Sequence, residues 1–250
     1  MKSKKLNKNK DASGQIVWAH FNNERSYEVI ERDDGFIDIS TGAESYFSEF
    51  KDWPKYQKEG LKFAKGKALD IGAGAGRVAL YLQKKGVKVT AIDNSPLSIK
   101  VCKKRGVKSA KVLPIEEVDS LPFNSFDTIL MYGNNFGLFA NPKKAKNLLK
   151  KFYKITKEDA IIITESRDPY KTKDPAHLNY HKLNKKRGKL PGALKIRVRF
   201  KNYTGNWFEY LFVSKKEMKD ILKDTEWKIK KFVESDSGSY IAIIEKQSPQ

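Results

Sequence analysis

The 250-residue chain has a single cysteine, Cys102, so no disulfide can form within it. That usage suits a reducing, cytoplasmic setting, and Cys102 reads as a packing residue of a helix. Long apolar runs are missing as well. None approaches the roughly 20 residues needed to cross a bilayer, so no membrane partner is expected. The first ten residues carry five lysines and no apolar segment, the wrong composition for a secretory signal. Histidine is scarce, with three residues in all. His177 and His181 stand at i and i+4, but no third ligand follows at metal spacing and no H-E-x-x-H pattern exists, so no metal site is expected. Arginine is scarce too, with eight among the 50 basic residues. Arginine forks are the usual readers of base edges. The formal net charge of +20 therefore reads first as lysine-rich solvated faces, with attraction to nucleic acid second.

Against these absences stands one dense motif. Ala68 to Ile71 is a short apolar run interrupted by Asp70, and Gly72, Ala73, Gly74, Ala75 and Gly76 follow it. Val78 to Leu82, with Lys84 and Lys85, then reads as a helix closed by Gly86. Glycines at such a strand-to-helix turn let the backbone approach a ligand closely and take positive φ, which marks a nucleoside-cofactor loop. A dinucleotide fingerprint requires a third glycine where Arg77 stands. Asp70, two residues before the first glycine, would face a pyrophosphate badly but suits a cationic amino-acid group. S-adenosylmethionine carries such a group.

Further signals lie downstream. Val87 to Asp93 alternates like a second strand ending in an acid, and Ser95-Pro96 then reads as the N-cap and first position of a helix. Leu121-Pro122-Phe123, Phe126-Asp127 and the apolar run to Met131 complete the series. Together these motifs resemble class I S-adenosylmethionine-dependent methyltransferases. The resemblance implies a Rossmann-like α/β sheet with a C-terminal antiparallel hairpin, and S-adenosyl-L-methionine as cofactor. It implies that Asp70, Gly72, Ala73, Gly74 and Gly76 form the cofactor loop and that Asp93, with Asn94, carries the ribose hydroxyls. It also implies that Ile115 and Glu116 lie near the adenine and that Tyr132 borders the cofactor.

Four regions organise the chain. Residues 1–14 are polar and lysine-rich and read as a disordered basic tail. Residues 15–66 form an N-terminal cap, in which Tyr46, Phe47, Phe50, Trp53 and Tyr56 recur at roughly helical spacing. The bland reading is a packing helix or pair of turns; the sharper one makes Tyr46 or Phe47 a wall of the cofactor site. Residues 67–250 form the methyltransferase domain, with strands expected near 68–71, 88–92, 108–113, 127–131 and 160–165. A capping box at Ser214 to Glu217 then opens a helix, followed by strands at 227–233 and 240–245. Within this domain, residues 166–213 form a β-rich lid insertion over the carboxyl edge of the sheet. The lid is expected to be irregular up to about residue 193 and then to make a hairpin, from 194–200 and 207–213.

Candidate chemistry falls at two places. The turn Gly133-Asn134-Asn135-Phe136-Gly137 follows the fourth strand, where the resemblance implies substrate-facing residues, so Asn134 and Asn135 are catalytic candidates; both are equally good turn-formers. His181 is a candidate because imidazole titrates near neutrality. Arg197 and Arg199 alternate with apolar residues and so share one strand face, either solvated or clamping an anion. Methyl transfer needs alignment and exclusion of water more than acid-base chemistry, so the lack of a triad is expected. The reading is methyl transfer from S-adenosylmethionine to a small-molecule acceptor. Two alternatives stay open: an RNA methyltransferase using the basic stretch 182–201, or an inactive, cofactor-binding relative.

Overall fold

The computed structural model describes residues 8–40 and 43–247. The chain opens with a 3-10 turn and helix α1 (Ala12–Phe21), then the hairpin β1 (Glu28–Arg32) and β2 (Ile37–Ser40). Short helices α2 (Glu44–Phe47) and α3 (Lys55–Leu61) flank a 3-10 turn at Phe50–Asp52. Alternating units follow: β3 (Ala68–Ile71), α4 (Arg77–Lys84), β4 (Val89–Asp93), α5 (Pro96–Lys104), β5 (Ala110–Val112), β6 (Phe126–Met131), α6 (Pro142–Ile155) and β7 (Thr156–Arg167). Beyond them run α7 (Pro175–Lys186), β8 (Ala193–Phe200), β9 (Tyr203–Thr204), β10 (Phe208–Leu211), α8 (Lys215–Leu222), β11 (Trp227–Glu234) and β12 (Ser239–Lys246).

Seven strands make the main sheet in the order β11-β12-β7-β6-β3-β4-β5. β3 to β7 pair in parallel, whereas β12 runs antiparallel to both β7 and β11. The parallel strands are apolar on both faces because helices cover both: Leu69, Ile71, Ile129 and Ile162 face one core, and Ala68, Ala91, Leu130 and Ile163 the other. The capping box forms as expected, with Ser214 and Glu217 exchanging bonds at the start of α8. Among the described residues no helix is long and apolar enough to cross a membrane.

A second sheet, β10-β8-β1-β2 with β9 beside β8, departs from the expected division of the chain. N-terminal cap and lid insertion share it: β1 pairs with β8 from Val29↔Arg199 to Arg32↔Ile196. The lid hairpin was expected from its alternation, but β1 and β2 were not, and nothing local can name a partner strand more than a hundred residues away. The two segments are one cap, covered on part of its inner face by α1 through Ile16, Ala19, Val198 and Phe200.

Two further expectations need correction. Residues 1–7 of the basic tail lie outside the described residues, but 8–14 are ordered. Asp11 is 2% exposed; it accepts from Gly14 N at 3.0 Å to cap α1, and from Ser95 Oγ at 2.8 Å. Composition missed this because a capping carboxylate looks like any other polar residue. Residues 175–186, expected to be irregular, form α7. Asp174 caps it by accepting from Ala176 N at 2.7 Å, and Pro175 takes the first turn, so the proline starts a helix within the stretch expected to be irregular. Tyr180 buries its ring under Arg32, whose guanidinium carbon lies 4.1 Å from the ring centroid, and donates to Asp33 at 2.6 Å.

Candidate functional site

The site is built on the turn from β3 to α4. Gly74 and Gly76 hold φ of +56° and +80°, backbone that side-chain-bearing residues rarely adopt. Space is closed there as well. A Cβ on Gly74 would lie 2.9 Å from Tyr46 Cδ1, and one on Gly76 would lie 2.8 Å from Val107 Cγ2. The loop is fastened to the next strand, because Gly72 N and Ala73 N donate to Ile92 O at 2.9 and 3.1 Å. Asp93, at the end of β4, accepts from Gly74 N at 3.0 Å and from Ser95 N at 2.9 Å. The two motifs recognised separately in the sequence thus meet, with the acid clasping the glycine turn.

Asp70 lies beneath this turn. It is 2% exposed, and its Oδ2 has no hydrogen-bond partner. Burial raises its pKa to about 7, although the Arg77 guanidinium opposes the shift. Burial likewise raises Asp93 to about 6, against the lowering effect of its backbone donors at Ser95 and Gly74. A buried carboxylate oxygen without a donor is costly unless something supplies one. Such an oxygen fits an ammonium group, and the half-buried Asp93 beside a glycine cradle fits vicinal hydroxyls. Both match the donor groups of S-adenosylmethionine.

Several groups that sequence reasoning missed complete the arrangement. Glu165, near the end of β7 and 2% exposed, accepts from Tyr56 Oη at 2.7 Å, Gln57 Nε2 at 2.9 Å and Gly133 N at 2.8 Å. It thereby ties α3 to the turn after β6. Arg77 donates to Gln57 Oε1 at 3.1 Å and stacks over Trp53 with its guanidinium carbon 4.5 Å from the ring. Tyr132, which the sequence already placed among the site residues, is 4% exposed and donates to Gln57 O at 3.1 Å. An acid ending a strand of a cofactor-binding sheet was the available signal for Glu165. For Tyr56 and Gln57 no sequence signal existed beyond the aromatic series.

The Gly133 to Gly137 turn lies beside the glycine loop. Asn135 Nδ2 donates to Ile71 O and Gly72 O, both at 3.0 Å, so its amide braces the loop. Asn134 takes a left-handed φ of +61°, and its buried Oδ1 has no partner. Tyr210 of β10 reaches across from the cap and donates to Asn134 O at 2.6 Å; its ring fills the space that a side chain on Gly137 would need.

Other candidates fall elsewhere. His181 sits on α7 with Tyr170, their ring centroids 6.2 Å apart. Its pKa is lowered by partial burial and by His177 and Arg32. The structure does not bring it to the glycine loop, because the helix that carries it packs on the far end of β1. Glu116 accepts from Lys144 Nζ at 2.6 Å on the surface, and Lys151 Nζ donates to its carbonyl; the buried Ile115 packs in the core. Ala73 and Asn94 occupy the expected turns. Arg197 and Arg199 do not form a free anion clamp: both pair with Glu31, Arg197 through two bonds of 2.8 Å. Arg187 pairs with Asp33 and Lys189 with Glu209, so much of the basic stretch is engaged within the chain.

Comparison with known proteins agrees with this geometry. A family model described as "Methyltransferase domain" matches residues 68–159. The chain is similar to a Bacteroides fragilis S-adenosylmethionine-dependent methyltransferase solved with S-adenosyl-L-homocysteine, at 26% identity, with 98% of each chain covered and a TM-score of 0.83. A glycine/sarcosine/dimethylglycine N-methyltransferase of Actinopolyspora halophila is 25% identical over 155 residues, 56% of this chain and 27% of that protein. A Geobacillus protein provisionally named a methyltransferase is 24% identical over 124 residues, 47% of each. The chain thus spans less than half the length of these two curated relatives. Motif, strand order and neighbours converge: residues 68–159 are a methyltransferase domain, and the chain has the fold of S-adenosylmethionine-dependent methyltransferases.

Proposed function

We propose that this chain transfers a methyl group from S-adenosylmethionine to a small-molecule acceptor. One observation carries the reading: two buried or half-buried carboxylates, Asp70 and Asp93, flank a glycine turn too close-packed for side chains, with an acceptor oxygen of Asp70 left without a donor. Asp93 would hold the ribose hydroxyls, Asp70 the amino group, and Tyr132 and Arg77 would border the methionine end. When bound, the cofactor supplies a methyl electrophile on a sulfonium, so the protein's task is alignment and the exclusion of water. Asn135 keeps the loop and the post-β6 turn in register. Tyr46 and Tyr210 close the seam between cap and sheet from the cap side. The cap is made of the chain's own strands, and several of its basic residues already have acidic partners, which favours a small acceptor over RNA.

Two measurements test the proposal. Titration calorimetry should give binding of S-adenosyl-L-homocysteine and none of NAD; no binding of the former would overturn the cofactor reading. Labelled methyl groups should pass from the cofactor into the metabolite pool of fractionated cell extract. Label confined to RNA or protein would sink the small-molecule reading, and binding without any transfer would identify an inactive cofactor-binding protein.

A further inference from the structure

The seam between the cap and the main sheet has a chemical bias opposite to the rest of the molecule. Strand alternation puts Glu28, Ile30 and Arg32 of β1, Asp38 and Ser40 of β2, Ile196 and Val198 of β8, and Phe208 and Tyr210 of β10 on one face, with Arg32 at its far end already paired with Asp34. The buried Ile196 and Val198 and the contacts of Tyr210 with the post-β6 turn identify this as the face turned to the sheet. Tyr46 spans the seam, touching Gly74 with its ring. Its hydroxyl is held protonated chiefly by the neighbouring Glu28 charge, then by burial and by Asp93. Glu28 and the glycine loop are thus both neighbours of Tyr46.

The charges around this point are unbalanced. Glu28, Asp93 and Glu165 act on the two tyrosines, whereas the guanidinium that acts on the Tyr46 hydroxyl is Arg77, already engaged by Gln57 and Trp53, and Arg105 is taken up by the Tyr46 and Ala75 carbonyls. The acids differ in how far they are satisfied. Asp93 is taken up by backbone donors, and Glu165 by Tyr56, Gln57 and Gly133. Half-buried Glu28 has only a side-chain hydrogen bond with Ser40 and the nearby like charge of Asp38. Among the described residues no lysine or arginine forms an ion pair with it, in a chain of net charge +20. An independent observation points the same way: Asn134 Oδ1, beside the Tyr210 contact, is a buried acceptor with no donor. A half-buried carboxylate without a cation and a buried amide oxygen without an N–H are both completed by a group that is positive and rich in donors.

We infer that the acceptor is a small molecule bearing a protonated amine, and that Glu28 selects it by forming its ion pair across the seam. This rests on the methyl-transfer reading above. The aromatic side chains Tyr46, Phe208 and Tyr210 suit a flat apolar body attached to that amine, with cation–π attraction adding to the ion pair. An anionic acceptor would meet Glu28 and Asp38 as repulsion, and a neutral alcohol would leave Glu28 unpaired.

The test uses three compounds of one skeleton, 2-phenylethylamine, 2-phenylethanol and phenylacetate, titrated into the full chain saturated with S-adenosyl-L-homocysteine. The amine should bind at least tenfold tighter than either of the others. Glu28→Gln, which keeps shape and removes charge, should abolish that preference with homocysteine-cofactor affinity unchanged, and Glu28→Asp should retain part of it. Equal or tighter binding of phenylacetate, no binding by any of the three at millimolar concentration, or an amine preference that survives Glu28→Gln would overturn the inference. Should Glu28→Gln not fold, Glu28→Asp carries the test, and an amine preference undiminished in it would overturn the role of Glu28. Failure of S-adenosyl-L-homocysteine to bind would instead defeat the methyltransferase reading, so the two failures are distinguishable.

Discussion

Removing the Glu165 carboxylate should be among the most damaging single changes outside the apolar core. The side chain is 2% exposed and accepts from three groups at 2.7 to 2.9 Å, Tyr56 Oη, Gln57 Nε2 and Gly133 N. In Glu165→Ala all three donors lose their acceptor and the Arg77 charge loses a counter-ion. Each orphaned buried donor costs about 1 to 3 kcal/mol, and water entering the vacated space recovers part of it, so the net loss should be about 4 kcal/mol, as for other broken buried charge networks. Glu165→Gln keeps one oxygen for Gly133 and Gln57 and lets the Tyr56 hydroxyl rotate. It loses roughly one charge-assisted bond, about 2 kcal/mol. At roughly 2 to 4 °C per kcal/mol for a chain of this size, thermal midpoints should fall by about 8 to 16 °C and 4 to 8 °C. Urea unfolding of the three proteins, followed by tryptophan fluorescence, measures the same differences. An alanine variant within about 1 kcal/mol of the parent would refute the idea that Glu165 binds α3 to the post-β6 turn.

Cofactor affinity should rise with pH. Asp70 and Asp93, raised to about 7 and about 6 by burial, must lose their protons to pair with an ammonium and with hydroxyl donors, so affinity should climb to about pH 7 and then level off, and Asp70→Asn should flatten the slope in calorimetry. Free-protein stability should move the other way: both acids hold protons more tightly folded than unfolded, so their contribution falls as pH rises from 3.8 to about 7, an effect visible in denaturant midpoints without cofactor. Asp93→Ala should weaken cofactor binding at least tenfold, the loss of two hydrogen bonds to a charged group at about 1.5 to 3 kcal/mol each; unchanged affinity removes Asp93 from the site. Gly74→Val should abolish binding, because the residue needs φ of +56° and would strike Tyr46; retained binding would show that the loop is misassigned. Changing Lys185, Lys186 and Arg187 together to Ala should leave cofactor affinity intact, and any RNA binding lost should be weak and sequence-independent; a steep log-linear salt slope in the parent would instead favour an RNA substrate.

The cofactor half of the site was legible because its signals are local. A strand, a glycine turn and a helix start occupy ten consecutive residues, and Asp93 ends the next strand by simple alternation. The surroundings of the post-β6 turn were not. Gln57, Glu165 and Tyr210 come from three distant segments and meet there through hydrogen bonds rather than by spacing. Asp11 and Pro175 were misread for a different reason: a capping carboxylate and a first-turn proline look like loop residues until the helix they begin is seen. His181 drew notice as a titratable group, but α7 binds to β1 through Arg32, Tyr180 and Asp33, which fixes its place away from the glycine turn.

The cap sheet draws its central pair, β1 and β8, from residues as far apart as Glu31 and Arg197, 166 positions along the chain. During synthesis β1 has no neighbour on that side until the whole parallel core has emerged, so this pairing waits for most of the chain. Pairings of such high contact order form late and reopen as a unit. In the finished protein, release of the β1–β8 seam can therefore occur while the parallel sheet stays folded. Exchange of the β1 and β8 amides faster than those of β3 and β6 would reveal it, and would mark a route by which an acceptor enters and a methylated product leaves.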